Sequence, residues 1–85
     1  MKTFNDLEFF DHPRGNGVQA RIRFDNGYGA SIVKTDFSYG GKEGLYELAV
    51  IDDNGLNYKT PITDDVIGYL TEEEVTEYLY KIQNL

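Results

Sequence analysis

Apolar and polar residues alternate without a break from Val18 through Gln19, Ala20, Arg21, Ile22 and Arg23 to Phe24, the period of two that a strand with one wet face requires. Asp25-Asn26-Gly27 follows, and Asn-Gly between two β-prone runs is the strongest short-range hairpin signal because both residues tolerate positive φ. The pattern therefore predicts a strand over 18–24 folding back on one over 28–34. With a three-residue loop and a left-handed Gly27, Phe24 faces Tyr28, Ile22 faces Ala30 and Ala20 faces Ile32. A two-residue turn would set Ile22 against Ser31 instead. Upstream, Leu7-Glu8-Phe9-Phe10 predicts a shorter strand over 7–10, returning through a loop that contains Pro13, Gly15 and Gly17. Pairing Leu7 with Ile22 and Phe9 with Ala20 puts Glu8 opposite Arg21 and Asp6 opposite Arg23 on the outer face.

After a loop from Thr35 to Gly44, residues 45–51 (Leu-Tyr-Glu-Leu-Ala-Val-Ile) are apolar on both faces except at Glu47, as expected of a strand near the centre of a sheet. Asp52-Asp53-Asn54-Gly55 repeats the turn chemistry and leads to a short strand over 56–60, which Pro61 ends by removing a donor. The C-terminal third carries helix-capping grammar. Thr63 is placed to cap a short helix over 64–69, with Ile62 and Ile67 as a hydrophobic staple. Thr71 and Glu74 form a capping box for a second helix over 72–83, with Leu70 and Val75 as its staple. Val75, Tyr78, Leu79, Ile82 and Leu85 recur at helical spacing, one apolar stripe to lay on a sheet. The expectation is an α+β fold: one domain, 1–85, with an antiparallel β-meander of about five strands packed by C-terminal helices.

Composition narrows the function classes. Eighty-five residues without cysteine must hold one core together without disulfides or a zinc knot. Aromatics at 14% and only two prolines argue for a folded chain rather than a disordered one. The longest fully apolar run, Leu48 to Ile51, falls far short of the roughly 20 residues of a membrane span, and Met1 to Asp6 has no apolar signal core. No membrane role and a cytoplasmic location are expected. Fifteen acids against eight bases leave a formal charge of −7, which opposes a phosphate backbone and disfavours direct nucleic-acid binding. Arg21, Arg23, Arg14 and His12 form the one basic cluster, and the expected pairs with Glu8 and Asp6 account for two of its arginines.

The acidity is uneven. Residues 60–85 hold six acids, Asp64, Asp65, Glu72, Glu73, Glu74 and Glu77, and one base, Lys81. Five of these acids fall in expected first helical turns, where free amides and the helix dipole favour carboxylates. Beyond capping, an acidic edge of two consecutive helix starts could mimic the phosphate track of nucleic acid or dock on a basic partner; Asp64, Asp65, Glu72 and Glu73 are its candidate residues. The stretch Asp36-Phe37-Ser38-Tyr39-Gly40-Gly41-Lys42-Glu43-Gly44 is a candidate recognition loop, with Phe37, Tyr39, Lys42 and Glu43 as its contacts, because loops on a rigid sheet present binding groups and Tyr is a favoured anchor.

Catalytic chemistry finds little footing. His12 stands alone before Pro13 in a loop where a solvated side chain is expected, and Ser31 or Ser38 lies in no nucleophile elbow. Counted from Asp52 as an EF-hand loop, positions six and twelve are Asn57 and Thr63, where Gly and Glu are needed. Gly40-Gly41-Lys42 lacks both the spaced first glycine and the trailing Ser or Thr of a phosphate loop. No enzyme activity, cofactor or metal is expected.

The segments Phe37-Ser38-Tyr39-Gly40-Gly41-Lys42-Glu43-Gly44-Leu45-Tyr46-Glu47-Leu48-Ala49-Val50 and Thr60-Pro61-Ile62-Thr63-Asp64-Asp65-Val66-Ile67-Gly68-Tyr69-Leu70-Thr71 resemble short uncharacterised proteins encoded in tailed-phage and prophage genomes. The resemblance implies a phage-associated origin and carries over no activity and no site residue. The expected function is a small acidic non-enzymatic interaction module that binds a host or phage protein, in its sharper form as a nucleic-acid mimic or inhibitor. The alternatives are a self-associating structural or assembly protein, a homodimer at the simplest, and a carboxylate or metal-dependent enzyme.

Overall fold

The computed structural model describes residues 1–63 and 65–85. Among the described residues, six strands form one antiparallel sheet: β1 (Phe10–Asp11), β2 (Val18–Arg23), β3 (Gly29–Lys34), β4 (Tyr46–Asp52), β5 (Gly55–Leu56) and β6 (Ile67–Leu70). The first five follow in meander order, β6 also pairs with β4, and a single helix, α1 (Glu72–Gln83), closes the chain. The architecture is the expected α+β one.

The β2–β3 hairpin forms in the expected register, with Ile22 opposite Ala30 and Ala20 opposite Ile32. The Phe24 amide donates to the Tyr28 carbonyl at 2.8 Å, and Gly27 closes the three-residue loop at φ 88, a region where a Cβ would be strained. Ala20, Ala30, Ile32, Leu48 and Val50 on one face of the sheet are fully buried, as are Val75, Leu79 and Ile82 of α1, and all but Ala20 join one core cluster. The Thr71–Glu74 capping box is present in both directions, which satisfies two of the amides a helix start leaves free. At the other end, the hairpin tip supplies the cap: Asn26 Nδ2 donates to the carbonyls of Ile82 (2.8 Å) and Gln83 (3.2 Å). One turn residue thus ties the hairpin to the helix C-terminus.

Three expected elements take a different course. Of the segment 7–10 only Phe10 joins the ladder, with Asp11 after it, opposite Gln19 and Val18; this is the expected register, cut short and moved to the segment's end. The preceding residues form a 3₁₀ turn, Phe4–Asp6, with its own Thr3–Asp6 capping box. Phe4 and Phe9 wedge against Tyr46 with ring centroids 5.2 and 5.6 Å away. Burying these rings beside α1 outweighs extending a two-sided strand. Asp6 consequently accepts from the Thr3 amide rather than facing Arg23, Arg23 pairs instead with Asp53, and no ion pair joins Glu8 to Arg21 among the described residues.

The strand expected over 56–60 ends at Leu56, with one further bond from the Asn57 amide to the Val50 carbonyl at 2.9 Å. The chain then leaves the sheet and returns as β6, antiparallel to the first half of β4. β5 and β6 are two pieces of one edge strand interrupted by an excursion over 57–66. The helix expected over 64–69 is therefore replaced by strand at Ile67–Leu70; Asp64 lies outside the described residues. Thr63 closes a local turn with Asp65, accepting from its amide at 3.1 Å and donating to its carbonyl at 2.9 Å. Gly68 is a poor helix former, and the outer edge of β4 would be left with unpaired amides and carbonyls if this segment were helical. A bulge absorbs one extra residue between the Tyr46–Leu70 and Leu48–Ile67 pairs, with Tyr69 at φ 58, an uncommon conformation for a bulky side chain.

If the face under α1 is the true core, Leu79→Ala should cost about 3 kcal/mol in denaturant unfolding, whereas Leu56→Ala, at a side chain 55% exposed on the opposite face, should cost less than about 0.5 kcal/mol. Comparable losses would contradict the assignment of faces.

Candidate functional site

The helix covers one face of the sheet. Alternation along the strands assigns to the other face Phe10, Gln19, Arg21, Ser31, Val33, Glu47, Ala49, Ile51 and Leu56, through the pairs Phe10–Gln19, Gln19–Val33, Val33–Glu47, Arg21–Ser31, Ser31–Ala49 and Ile51–Leu56. Ala49 and Ile51 are buried even so, because the 57–66 excursion returns past them: Leu56 and Val66 share a hollow of about 270 Å³ with Ala49 and Glu47. A second hollow of about 370 Å³ adjoins it, sharing His12, Val33 and Glu47 and reaching Arg14, Ser38 and Phe37. Together they make one groove with Glu47 at its middle.

The 35–44 loop forms one wall and is held tightly. The Thr35 amide donates to Ser38 Oγ (2.9 Å), the Ser38 amide and Phe37 amide donate to Thr35 Oγ1 (3.1 and 3.2 Å), and Ser38 Oγ donates to the Thr35 carbonyl (3.2 Å). Asp36 adds a bond from its amide to the Gly15 carbonyl (2.9 Å) and accepts from Asn16 Nδ2 (3.0 Å). Gly41 lies so close to the Thr35 carbonyl, and Gly68 to Tyr39, that neither could carry a Cβ. On this braced loop Phe37 is 84% exposed and Tyr39 58% exposed.

His12 is half-buried rather than fully solvated, and its Nδ1 accepts the Arg14 amide at 3.2 Å, which leaves Nε2 as the ring's free donor position. Burial lifts the Glu47 carboxyl above the usual carboxylate range; a hydrogen bond from the Tyr39 backbone pulls it down, and Asp65 pushes it up again. A carboxylate whose ionised form is disfavoured by its surroundings, placed mid-groove, is a candidate binding group.

The candidate residues from sequence divide. Phe37 lines the groove, Tyr39 serves it through its main chain, and Asp65 approaches Glu47. Lys42 and Glu43 stand exposed in the 3₁₀ turn Gly41–Glu43. Glu72 and Glu73 open α1, separated from Asp65 by β6 and roughly 20 Å of extended chain. The first of the two helix starts expected to make an acidic edge is absent, since Ile67–Leu70 is strand; Asp64 lies outside the described residues. Glu47 was visible in sequence only as the one polar residue of an apolar run; its neighbours in the groove come from the excursion and loop, which pair with it across long sequence separations. Among the described residues no group of three or more His, Asp or Glu side chains is placed to hold a metal ion, and no helix is long and apolar enough to cross a membrane.

A raised carboxyl pKa means that the folded state binds this proton more tightly than the unfolded chain does. Its contribution to stability is complete below the ordinary value of 4.5 and is lost as pH rises through the folded value. Glu47→Gln keeps an oxygen for the Tyr39 amide and removes the charge. The variant should be more stable than the parent at neutral pH and equal to it below pH 4.5, measured by urea unfolding across pH; a difference independent of pH would contradict the assignment. Compared with known proteins, the chain matches no family model, no curated protein and no solved structure.

Proposed function

We propose that this chain is a small non-enzymatic interaction module that binds a host or phage protein through the groove on its helix-free face. The observation that carries this is Phe37: a large apolar side chain, 84% exposed, on a loop braced by four hydrogen bonds between Thr35 and the residues after it. An aromatic group held in water by an ordered loop contributes nothing to the core, and ordering it in advance lowers the entropy lost on binding.

Charge indicates what the groove accepts. Glu47 and Asp65 lie close enough to raise the Glu47 pKa, and among the described residues neither has a cation within ion-pair distance. Arg14 and Arg21 at the rim repel a run of basic residues while leaving room for one. The groove therefore suits an extended protein segment with a single Lys or Arg beside an apolar side chain, the base on Glu47 and the apolar group against Phe37 and Val33. A phosphate-track mimic has one helix start, at Glu72 and Glu73, in place of the two it was built on.

A displayed library of extended peptides, selected on the purified protein, should enrich segments that pair one basic residue with an apolar neighbour. Phe37→Ala and Glu47→Gln should each weaken the selected peptides by about tenfold, or ~1.4 kcal/mol, with circular dichroism unchanged. Enriched peptides that bind both variants as tightly as the parent would refute the groove as the docking site. Turnover of an ester or phosphoester panel by the purified protein would refute the non-enzymatic function.

A further inference from the structure

The chain contains three Asn-Gly steps, Asn16-Gly17, Asn26-Gly27 and Asn54-Gly55. This dipeptide is chemically exposed because glycine has no Cβ to keep its main-chain nitrogen away from the preceding Asn side chain. The glycine nitrogen attacks Asn Cγ, the new C–N bond closes a cyclic imide, and the side-chain nitrogen departs as ammonia. Water then opens the imide at either carbonyl, leaving aspartate or isoaspartate. Water is the only co-reactant. The step requires a side-chain amide free to turn onto the glycine nitrogen and a turn that loosens enough for that nitrogen to attack.

The three sites differ in that freedom. Asn26 is held at both ends of its amide: Nδ2 donates to the Ile82 and Gln83 carbonyls at 2.8 and 3.2 Å, and Oδ1 accepts the Tyr28 amide at 3.1 Å. The Gly27 amide is itself engaged, donating to the Phe24 carbonyl at 3.3 Å. Asn16 is held by one bond, from Nδ2 to Asp36 at 3.0 Å. At Asn54 the backbone amide donates to Asp52 Oδ1 at 2.7 Å and Gly55 pairs with Asp52 on the last rung of the β4–β5 ladder, while the Asn54 side-chain amide makes no hydrogen bond among the described residues. Both the Asn26 and the Asn54 turns line one hollow of about 270 Å³ with Tyr28, Asp52 and Asp53. In both turns the glycine amide is engaged, so the two sites share dipeptide, solvent and place in the fold, and they differ in how firmly the Asn side-chain amide is held.

We propose that Asn54-Gly55 is a site of spontaneous deamidation in the folded protein and that Asn26-Gly27 is protected from it by its clamp on the C-terminus of α1. The products fall unequally on the structure. A carboxylate at position 54 joins Asp52 and Asp53 in an exposed turn. A carboxylate at position 26 loses both donors to the helix and faces its free carbonyls at the negative end of the dipole. The modification thus adds charge to one turn with age and spares the contact that holds helix to sheet.

Peptide mapping by mass spectrometry, with aspartate and isoaspartate resolved, tests this on the whole chain incubated in mildly alkaline buffer with and without urea. In the folded protein Asn54 should convert faster than Asn26 by about tenfold or more, because Asn26 reacts only from opened states. In urea the rates at the two sites should converge. Equal rates in the folded protein, or a difference that persists unchanged in urea, would overturn the proposal. Asn26→Asp should also melt at lower temperature than the parent while Asn54→Asp melts with it; two variants melting alike would show that the Asn26 clamp does not hold the helix.

Discussion

Strand β4 is paired along both edges and covered on both faces, and the rest of the molecule is arranged to make that possible. Leu48 and Val50 point to α1 and are fully buried, while Ala49 and Ile51 point the other way and are nearly so. Each large side chain removed from water contributes on the order of 1.5–3 kcal/mol, so a strand apolar on both faces cannot be left at a wet edge. β3 covers one edge and the interrupted pair β5 and β6 covers the other. The excursion between β5 and β6 then brings Val66 over the face that the helix leaves open. The groove is a consequence of this cover: the chain that shelters Ala49 also carries Asp65 to Glu47 and leaves a hollow beyond it.

Strict alternation and one Asn-Gly turn were enough to read the β2–β3 hairpin to its register, since a one-residue slip would have turned Ile22 and Ala20 to water. The capping box at Thr71 was legible for a similar reason: Thr71, Glu74 and the stripe of Val75, Leu79 and Ile82 agree at every level. Thr63 shows where such grammar misleads. It too precedes two acids and an apolar pair, yet its hydroxyl closes a turn with Asp65 and the next residues become β6. Local propensity was nearly neutral there, and the deciding term was the unpaired edge of β4, which lies far away in sequence. The N-terminal segment failed for a related reason, because the Phe4–Phe9–Tyr46 cluster depends on a partner that no local pattern reveals.

The groove was less legible than the fold. Phe37 and Tyr39 were marked by composition, an aromatic pair among glycines, and both prove exposed. In the sequence Glu47 shows only as the polar exception of a core strand, and His12 as a histidine expected to be solvated. A single sequence carries the period that sets which face a residue takes, but not which distant segment crosses that face. Glu47 gains its character from Val66 and Asp65, which follow it by nearly twenty positions and meet it only because the edge strand is interrupted.

The arrangement of charge bears on how such a groove would find its partner. Glu72, Glu73 and Glu74 sit exposed at the start of α1, where capping already rewards them, and a net −7 chain attracts basic proteins over a Debye length of about 8 Å at physiological salt. That field selects for sign and not for sequence. On the proposed function, discrimination falls to the short-range site, where the partly buried Glu47 shares the groove with Arg14, Arg21 and the Phe37 ring on its braced loop. Because the loop bearing that ring is already ordered by Thr35 and Ser38, little entropy remains to be lost when a segment docks. On the proposed function, a basic partner would be gathered by the acids at the start of α1 and chosen by the groove on the opposite face of the sheet.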